Sequence, residues 1–466
     1  MGPRSFLSGD DDRSLPRASS HRVWPRRRDG RFAAAGPRAI GRLATSMGRL
    51  VCSPGDALGR DQGKFEPARL RIVQVHGLYR DRGGEDAAAD AEVDLLRSSG
   101  VRVERLIFDS RDIDSRPGIG PSMRTALNVT WSTEASRRLK SVLRRVQPDL
   151  VHFHNTFPMA SPSVVQRASR MGYPVVMTLH NYRLGCLNAQ LYRDGSPCLE
   201  CVGRVPWRGV VHGCYRRSRS ASLALASSVV THRLLRTWSN HVDLFLVPSS
   251  FAARILQAIG LDGDRLMVKP NAVGWEVDRT QESQGYFVML GRVVEDKGVA
   301  DVANSWAAFS IDASLKVVGD GPMFDRLKGQ FGGSRVEFLG ALPRQDVVPV
   351  LSGARALVFA SRLFEVQPMT ILEAMASAVP VIAPSGGAAE DLVTHGRNGL
   401  LYQPGDWRAL ADHVRLLSGD RELAREMGLA GAARYEVEFA PDVVLDATLR
   451  AYQGAIARRR TRGGAG

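Results

Sequence analysis

Residues 356–375, A-L-V-F-A-S-R-L-F-E-V-Q-P-M-T-I-L-E-A-M, predict a strand, a loop and a helix in immediate succession. The first five residues form a short apolar run typical of a buried strand, and Pro368 stands where a helix would begin, because proline fits the first helical turn. The loop carries Glu365, and Glu373 follows eight positions later inside the helix. A strand followed directly by a helix is the repeating unit of a parallel sheet.

The same unit recurs from Leu70 onward, which predicts an α/β protein with two Rossmann-like β/α/β domains. Predicted strands cover 70–75, 101–108, 149–154, 174–179, 242–247, 287–290, 315–318, 336–338, 356–360 and 379–382. Predicted helices cover 85–97, 132–146, 162–171, 217–239, 249–259, 299–309, 323–330 and 441–456. The pattern breaks into polar residues over 273–285, so we expect domains at 67–275 and 286–437 that face a central crevice at the carboxyl ends of both sheets.

The two ends of the chain are basic. Residues 1–66 hold 13 basic and 7 acidic residues without an apolar period or the apolar core of a secretory signal, so we predict a disordered basic tail. Contact of this tail with a membrane or a nucleic acid is the alternative. Residues 438–457 are expected to form a helix that crosses back to the first domain, and 458–466 a second basic tail.

The overall charge is strongly positive, with 63 basic against 48 acidic residues and a net charge of +15. Such an excess favours a polyanion, an anionic membrane surface or a phosphorylated substrate as partner. Ordinary proportions of apolar and charged residues exclude a fibrous or wholly disordered chain, and no apolar stretch reaches the length of a membrane-spanning helix.

Four of the five cysteines lie within an excursion at 181–215 that is rich in glycine and proline. They are Cys186, Cys198, Cys201 and Cys214, spaced C-x11-C-x2-C-x12-C. The C-x-x-C pair could share one metal ion and the outer two could complete a tetrahedron, which suggests a structural zinc site. A disulfide, or four reduced thiols without a joint role, are the alternatives.

Several polar residues follow predicted strands of the second domain. The helix start at Pro368 offers free N–H groups to an anion, and the flanking carboxylates Glu365 and Glu373 can accept hydrogen bonds from sugar or ribose hydroxyls. In the loop 291–298, Arg292 and Lys297 stand five positions apart after a strand, a pair that suits a diphosphate. Each feature alone could also be an exposed charged pair without a ligand.

The first domain has comparable features. Gly83 and Gly84 lie between the first strand and the first helix, where the missing Cβ lets a phosphate approach. They do not form the G-x-G-x-x-G pattern of dinucleotide-binding dehydrogenases. His152 and His154 with Asn155 end one strand, and His180 with Asn181 ends the next. These histidines could be structural, but their common sheet edge makes a functional role equally plausible.

Taken together, these segments resemble the retaining nucleotide-sugar glycosyltransferases of family four, which have the GT-B fold. The resemblance runs from about Leu70 to about Ala457 and rests on motifs that occur in the expected order. They are V-H-G-L-Y-R-D-R-G-G-E-D (75–86), P-D-L-V-H-F-H-N-T-F-P (148–158), T-L-H-N-Y-R-L (178–184), V-K-P-N-A-V (268–273), G-R-V-V-E-D-K-G (291–298), V-G-D-G-P (318–322), E-x7-E (365–373) and G-R-N-G-L-L-Y (396–402).

This resemblance implies a role for each matching residue. Arg292 and Lys297 would hold the donor diphosphate, Glu373 the ribose, and Glu365 the hydroxyls of the transferred sugar. Gly83, Gly84, Met369 and Thr370 would also bind the donor, and His180 would lie beside its sugar. His154, Asn155 and Asn181 are candidates on the acceptor side. Many family members have E-G-F-P where this chain has E-V-Q-P (365–368), so the sugar specificity does not follow from the motif.

The expected function is transfer of a sugar, with retention of configuration, from a UDP, GDP or ADP sugar to a glycan or lipid-linked acceptor. The first domain would bind the acceptor and the second the donor. Catalysis would need no metal cofactor, structural zinc apart, and the protein would act in the cytoplasm or at the inner face of the membrane. Another nucleotide-sugar reaction on this fold, such as epimerisation, is the nearest alternative. A basic nucleic-acid-binding protein is a further one, although no helix-turn-helix, zinc-finger or aromatic RNA-binding pattern occurs in the sequence.

Overall fold

A computed structural model describes residues 66–79, 83–113, 128–273, 279, 282–333 and 335–463. The predicted N-terminal tail, with Cys52, lies outside the described residues except for Glu66. The described part consists of two parallel six-stranded sheets, each covered by helices, and a two-stranded hairpin. This is the predicted architecture of two Rossmann-like domains, and it follows from the alternation of apolar strands with amphipathic helices.

The strands are short and mostly buried, as expected for sheets covered on both faces. In chain order they are β1 (Arg71–Leu78), β2 (Arg102–Asp109), β3 (Leu150–Phe153), β4 (Val175–Thr178), β5 (Tyr192–Arg193), β6 (Ser196–Pro197), β7 (Leu244–Val247), β8 (Leu266–Val268), β9 (Phe287–Leu290), β10 (Leu315–Val318), β11 (Val336–Gly340), β12 (Ala356–Val358), β13 (Val381–Pro384) and β14 (Gly399–Tyr402).

The helices connect these strands, and several begin at a side-chain cap such as Ser132, Ser249 or Asp406. In chain order they are α1 (Gly84–Ser98), α2 (Thr133–Val146), α3 (Ser163–Arg170), α4 (Trp207–Val211), α5 (Arg219–Leu234), α6 (Thr237–His241), α7 (Ser250–Ile259), α8 (Val299–Ala308), α9 (Phe324–Phe331), α10 (Arg344–Ser352), α11 (Met369–Ala376), α12 (Ala388–Leu392), α13 (Trp407–Gly419), α14 (Arg421–Glu438) and α15 (Pro441–Gly463).

The strand order fixes where each sheet can bind a ligand. The first sheet has the order β2-β1-β3-β4-β7-β8 and the second has β11-β10-β9-β12-β13-β14. The direction of strand succession therefore reverses between β1 and β3 in the first sheet and between β9 and β12 in the second. Loops that leave neighbouring strands at such a switch point diverge to opposite faces, and they leave a crevice at the carboxyl ends of the strands.

Several elements differ from the sequence prediction. Strands β8 and β14 were not predicted, although they are as short as some of the strands that were. The excursion contains the small hairpin β5–β6. The single helix predicted over 217–239 is interrupted at Arg236, whose left-handed backbone separates α5 from α6.

The last helix belongs to the first domain's core, although it follows the second domain in the chain. Ala451, Tyr452 and Ala455 pack with apolar residues of the first sheet, including Ile72 and Leu150. The helix also runs to Gly463, beyond its predicted end at 456.

The prediction of a separate basic tail over 458–466 is therefore wrong for residues 458–463. The Arg458 guanidinium donates to the carbonyl oxygen of Asp264 at 2.8 Å, and that of Arg459 donates to the carbonyl oxygen of Ser169. These basic side chains find acceptors on the first domain because the helix lies along it.

No helix among the described residues is long and apolar enough to cross a membrane.

The two domains contact each other beside the crevice. The Asn271 amide donates to Gln367 Oε1 at 2.8 Å, and the Phe251 amide donates to Asp391 Oδ2 at 2.7 Å. The ring of Phe251 also packs against that of Phe364, with 5.3 Å between centroids. The loop 361–368, which carries Glu365, is thus held by residues of both domains.

Candidate active site

A cleft of about 490 Å³ lies between the carboxyl ends of the two sheets. Its walls come from the loops that follow β1, β9 and β12, the strands at the two switch points. Eight of the predicted site residues line it: Gly83, Gly84, His180, Arg292, Lys297, Glu365, Met369 and Thr370. The structure therefore brings together residues that are up to 287 positions apart, from Gly83 to Thr370.

Lys297 and Glu365 form an ion pair in the wall of the cleft. Gly298 makes this possible, since it has a positive φ of 72° and a Cβ there would overlap the carbonyl oxygen of Ala360. The loop 291–298 can therefore lie directly against the end of β12. The side chain of Lys297 is 30% exposed and that of Glu365 is 17% exposed, so neither is sealed from the cleft.

Positive charge collects on the second-domain side of the cleft. Arg292 follows β9 directly, is exposed and lines the cleft together with Lys297. Helix α11 begins at Met369 after the extended residue Pro368, and its first N–H groups have no intrahelical acceptor. Two cations and a helix N-terminus that line one cleft are groups that attract an anion.

The first domain contributes a second helix N-terminus. A Cβ added at Gly83 or Gly84 would meet no atom of the described residues within 4 Å. The Gly83 amide donates to Asp86 Oδ2 at 3.0 Å, while Asp86 Oδ1 lies 2.8 Å from His76 Nε2. The buried His76–Asp86 pair thus fixes the glycine turn at the mouth of the cleft.

Glu85 is a site residue that the sequence analysis missed. It lines the cleft and accepts a hydrogen bond from Asn181 Nδ2 at 3.0 Å, whereas its Oε1 has no hydrogen-bond partner among the described residues. Burial raises the pKa of Glu85 to about 7, against the opposing effects of Asn181 and Arg183. Its position directly after Gly84 could have indicated a site residue. Acidic residues are common in the first turn of a helix, however, because they stabilise the helix N-terminus.

Among the described residues, Glu373 is not one of those that line the cleft. On helix α11 it stands three and four positions after Thr370 and Met369, so it shares their face and extends that wall by one turn. Burial raises the pKa of Glu373 to about 7, and the charge of Arg344 opposes this shift.

A chain of buried polar groups extends from His180 into the first domain. His180 Nε2 lies 3.0 Å from His154 Nδ1, and His154 Nε2 lies 3.1 Å from Glu92 Oε1. The other oxygen of Glu92 contacts the ammonium group of Lys269, and His152 Nδ1 lies 3.0 Å from Glu92 Oε1. Glu92 and Lys269 are 177 positions apart, and neither was identified from the sequence.

The partners in this chain assign the protons. Burial lowers the pKa of His154 to about 3, and burial together with His154 and Lys269 holds the pKa of His180 well below its usual value. Burial alone would raise the pKa of Glu92, but Lys269 and the histidines hold it well below the usual value. Glu92 is thus a carboxylate and must accept from His154 Nε2–H, so His154 Nδ1 accepts from His180 Nε2–H. His180 Nδ1 is left as a hydrogen-bond acceptor.

The three acceptor-side candidates line a second cavity of about 60 Å³, which His180 also borders. Asn155 uses its amide for the fold, since Nδ2 donates to the Gly77 carbonyl at 2.8 Å and Oδ1 accepts from the Phe157 amide at 2.9 Å. Asn181 likewise accepts from the Arg183 amide at 3.0 Å in addition to binding Glu85. Both asparagines therefore position the loops beside the cavity.

The structure places four further polar residues in the cleft wall, namely Gln190, Asn271, Ser361 and Gln367. Gln190 lies in the cysteine-rich excursion, whose contact with the cleft has no signal in the sequence. The four cysteines of the excursion are free thiols, so no disulfide joins them. Glu92, His152 and His154 have ligand atoms within 4.8 Å of one another, but the Lys269 ammonium group on Glu92 opposes a cation there.

Comparison with known proteins agrees with this geometry. The family model described as Glycosyltransferase Family 4 matches residues 73–274, and the model described as Glycosyl transferases group 1 matches residues 276–434. The two matches are consecutive, and together they cover both sheets and both walls of the cleft.

Individual relatives span the chain to different extents. An exopolysaccharide phosphotransferase of Streptomyces coelicolor is 31% identical over 214 residues, which are 44% of this chain and only 22% of the relative. A GDP-mannose-dependent alpha-mannosyltransferase of Mycolicibacterium smegmatis is 29% identical over 341 residues, which are 70% of this chain and 78% of the relative.

A solved structure agrees in fold. Anabaena HepE in complex with UDP-glucose superposes with a TM-score of 0.54 and 16% identity, covering 80% of this chain and 97% of that one. The two family models account for consecutive halves of the described chain, and the sheets have the topology of two facing Rossmann-like domains. The chain therefore belongs to the group 1, family four glycosyltransferases with the GT-B fold.

Proposed function

We propose that this protein transfers a sugar from a nucleoside diphosphate sugar to a hydroxyl group of a glycan or lipid-linked acceptor. The observation that carries the proposal is that Arg292, Lys297 and the start of α11 line one cleft, in whose wall Glu365 is paired with Lys297. A diphosphate fits the cations and the free N–H groups, and a sugar fits the carboxylate.

The charge arrangement supports the bond-breaking step. As the anomeric bond breaks, the leaving nucleoside diphosphate gathers negative charge, which Arg292, Lys297 and the α11 N-terminus stabilise. The acceptor hydroxyl attacks from the face that the diphosphate leaves, with retention of configuration, and its proton passes to the departing phosphate. These residues supply the positive charge themselves, so the proposal includes no metal ion in the reaction.

The opposite wall orients the sugar. His180, held as a neutral acceptor at Nδ1, can accept a hydrogen bond from a sugar hydroxyl, and Glu85 lies beside it with one oxygen unpaired among the described residues. Lys297 holds Glu365 from the second domain, so the transferred sugar would lie between fixed groups of both domains. Such fixed orientation supplies a large part of the rate enhancement in bimolecular transfers.

The donor nucleotide is expected to extend along α11. Glu373, one turn beyond Met369 and Thr370, is assigned to the ribose hydroxyls. UDP, GDP and ADP sugars are the candidates, and relatives with UDP-glucose and GDP-mannose in their descriptions favour the first two. The net charge of +15 supports a place at the cytoplasmic membrane surface, where each well-placed cation contributes about 1 kcal/mol.

A ligand screen followed by one variant tests the proposal. UDP, GDP and ADP sugars are added to the full chain, and the correct donor at about 100 times its Kd should stabilise it by about 2.7 kcal/mol. Lys297→Ala should abolish transfer and leave the fold intact, whereas Lys328→Ala, which removes an exposed lysine from α9, should have no effect.

Product analysis separates the alternatives. A glycoside of retained configuration, formed only when an acceptor is present, supports sugar transfer. A changed nucleotide sugar formed without an acceptor identifies the epimerase-like reaction instead. Near-normal turnover by Lys297→Ala contradicts the assignment of the diphosphate site.

A further inference from the structure

The cysteine-rich excursion forms part of the donor cleft. Gln190 lines the cleft, and the hydroxyl of Tyr182 donates to the backbone carbonyl of Glu365 at 3.4 Å. The excursion therefore touches the loop that carries the sugar-binding carboxylate. Whatever fixes the conformation of this segment also fixes one side of the cleft.

Regular secondary structure contributes little to the conformation of the excursion. Its hairpin β5–β6 has two residues in each strand, and the helix α4 within it has five. The conformation of the excursion therefore depends on side-chain packing and on any cross-link among its cysteines. The four cysteines are not joined by disulfides, so a metal ion is the remaining cross-link that they could form.

The backbone groups the four cysteines around two residues, Leu191 and Gly209. The Cys198 amide donates to the Leu191 carbonyl at 2.6 Å, and the Leu191 amide interacts with the Cys186 thiol. In the same way, the Cys214 amide donates to the Gly209 carbonyl at 2.9 Å, and the Gly209 amide interacts with the Cys201 thiol.

These two pairs are adjacent in space. A Cβ on Gly209 would lie 2.8 Å from Cδ1 of Leu187, the residue that follows Cys186. The two cysteines of the C-x-x-C motif therefore belong to different pairs. Cys198 is grouped with Cys186 around Leu191, and Cys201 is grouped with Cys214 around Gly209.

The backbone around Cys186 offers hydrogen-bond donors to its sulfur. Backbone amides of Asn188, Ala189 and Leu191 point to the Cys186 sulfur, and such N–H groups stabilise metal-bound thiolates. A divalent cation binds thiols as they lose their protons.

We propose that Cys186, Cys198, Cys201 and Cys214 bind one zinc ion and that this site holds the excursion against the donor cleft. Four thiolates complete the tetrahedral coordination of zinc and leave no position for substrate, so the site is structural. Ligands of one zinc ion lie about 3.8 Å apart. Among the described residues, only Glu92, His152 and His154 have ligand atoms within 4.8 Å of one another, so zinc binding must draw the cysteines closer.

The test measures metal in the full chain, purified under reducing conditions without chelators. We expect elemental mass spectrometry to find about one zinc ion per chain. Cys198→Ser and Cys201→Ser should lower the zinc content at least about ten-fold, because loss of one thiolate leaves an incomplete tetrahedron. Cys52→Ser is the matched control and should keep its zinc. Replacement by Co²⁺ should give thiolate charge-transfer absorption and the visible bands of tetrahedral cobalt.

The outcome does not depend on enzymatic activity, so failure of the proposed transferase function would leave the result intact. Wild-type protein that contains no zinc and shows no tetrahedral cobalt spectrum overturns the proposal. So does a protein mass that shows disulfides among these cysteines in the untreated protein. If a serine variant fails to fold, the cobalt spectrum of the wild-type chain still decides between thiolate coordination and free thiols.

Discussion

His154 Nδ1 lies 3.0 Å from His180 Nε2, so a buried imidazole sets the position of the proton on the imidazole that borders the cleft. His154 in turn donates to Glu92, which also accepts from Lys269, a cation inside the first domain. His180 is thereby presented to the cleft in one tautomer. A ring whose tautomer is fixed can accept from a sugar hydroxyl without first exchanging a proton.

His154→Ala should therefore lower kcat about five-fold, because His180 loses a hydrogen bond worth about 1 kcal/mol and can adopt either tautomer. His154→Gln should restore part of the rate, since an amide oxygen can accept the same proton. Steady-state kinetics with the donor varied provides the measurement, and His241→Ala, remote from the cleft, is the control. A change in donor KM with constant kcat would instead mean that His154 acts by packing alone.

Glu85 should make donor binding depend on pH. With a pKa of about 7, its carboxyl group is neutral below that pH and does not repel the anionic donor, whereas the carboxylate formed above it does. Donor Kd, measured by calorimetry, should therefore rise as the pH rises through 7. Glu85→Gln should remove this dependence, and Glu337→Gln, which changes an exposed carboxylate on β11, should retain it. Equal pH profiles for wild type and Glu85→Gln would contradict the prediction.

Glu373 should make stability depend on pH in the opposite way from most carboxylates. Its pKa rises from 4.5 to about 7 on folding, so the folded state binds more protons than the unfolded state between these values. The contribution of protonated Glu373 to the unfolding free energy is complete below pH 4.5 and is lost as the pH rises through 7. In denaturant titrations, the unfolding free energy of wild type should therefore fall relative to that of Glu373→Gln as the pH rises over this range. A constant difference would show that Glu373 has an ordinary pKa.

Gly298→Ala should destabilise the protein by about 1–3 kcal/mol, because alanine is strained at positive φ and its Cβ would overlap Ala360. It should also raise the donor KM, since Lys297 shifts with the loop. Gly329→Ala, in the open interior of α9, should instead stabilise by about 0.4–1 kcal/mol. Unfolding titrations and kinetics check both changes, and a neutral Gly298→Ala would contradict the close packing of this loop against β12.

The part of the site that follows strand ends could be predicted from the sequence. Arg292 and Glu365 lie in the loops that follow apolar runs, and in a parallel sheet such loops share one edge. The buried chain behind His180 could not be predicted, because Glu92 and Lys269 are 177 positions apart and neither lies at the carboxyl end of a predicted strand. The break between α5 and α6 was missed for a different reason, since the sequence keeps a helical pattern through Arg236.

The hydroxyl of Tyr452 lies 2.8 Å from His152 Nδ1, although 300 positions separate the two residues. The last helix therefore completes the apolar interior of the half of the protein that a ribosome makes first. Until synthesis is nearly finished, the newly made amino-terminal half exposes the surface around Ile72 and Leu150 that this helix covers. Nascent chains, and any version truncated before α15, should consequently depend on chaperones and tend to aggregate.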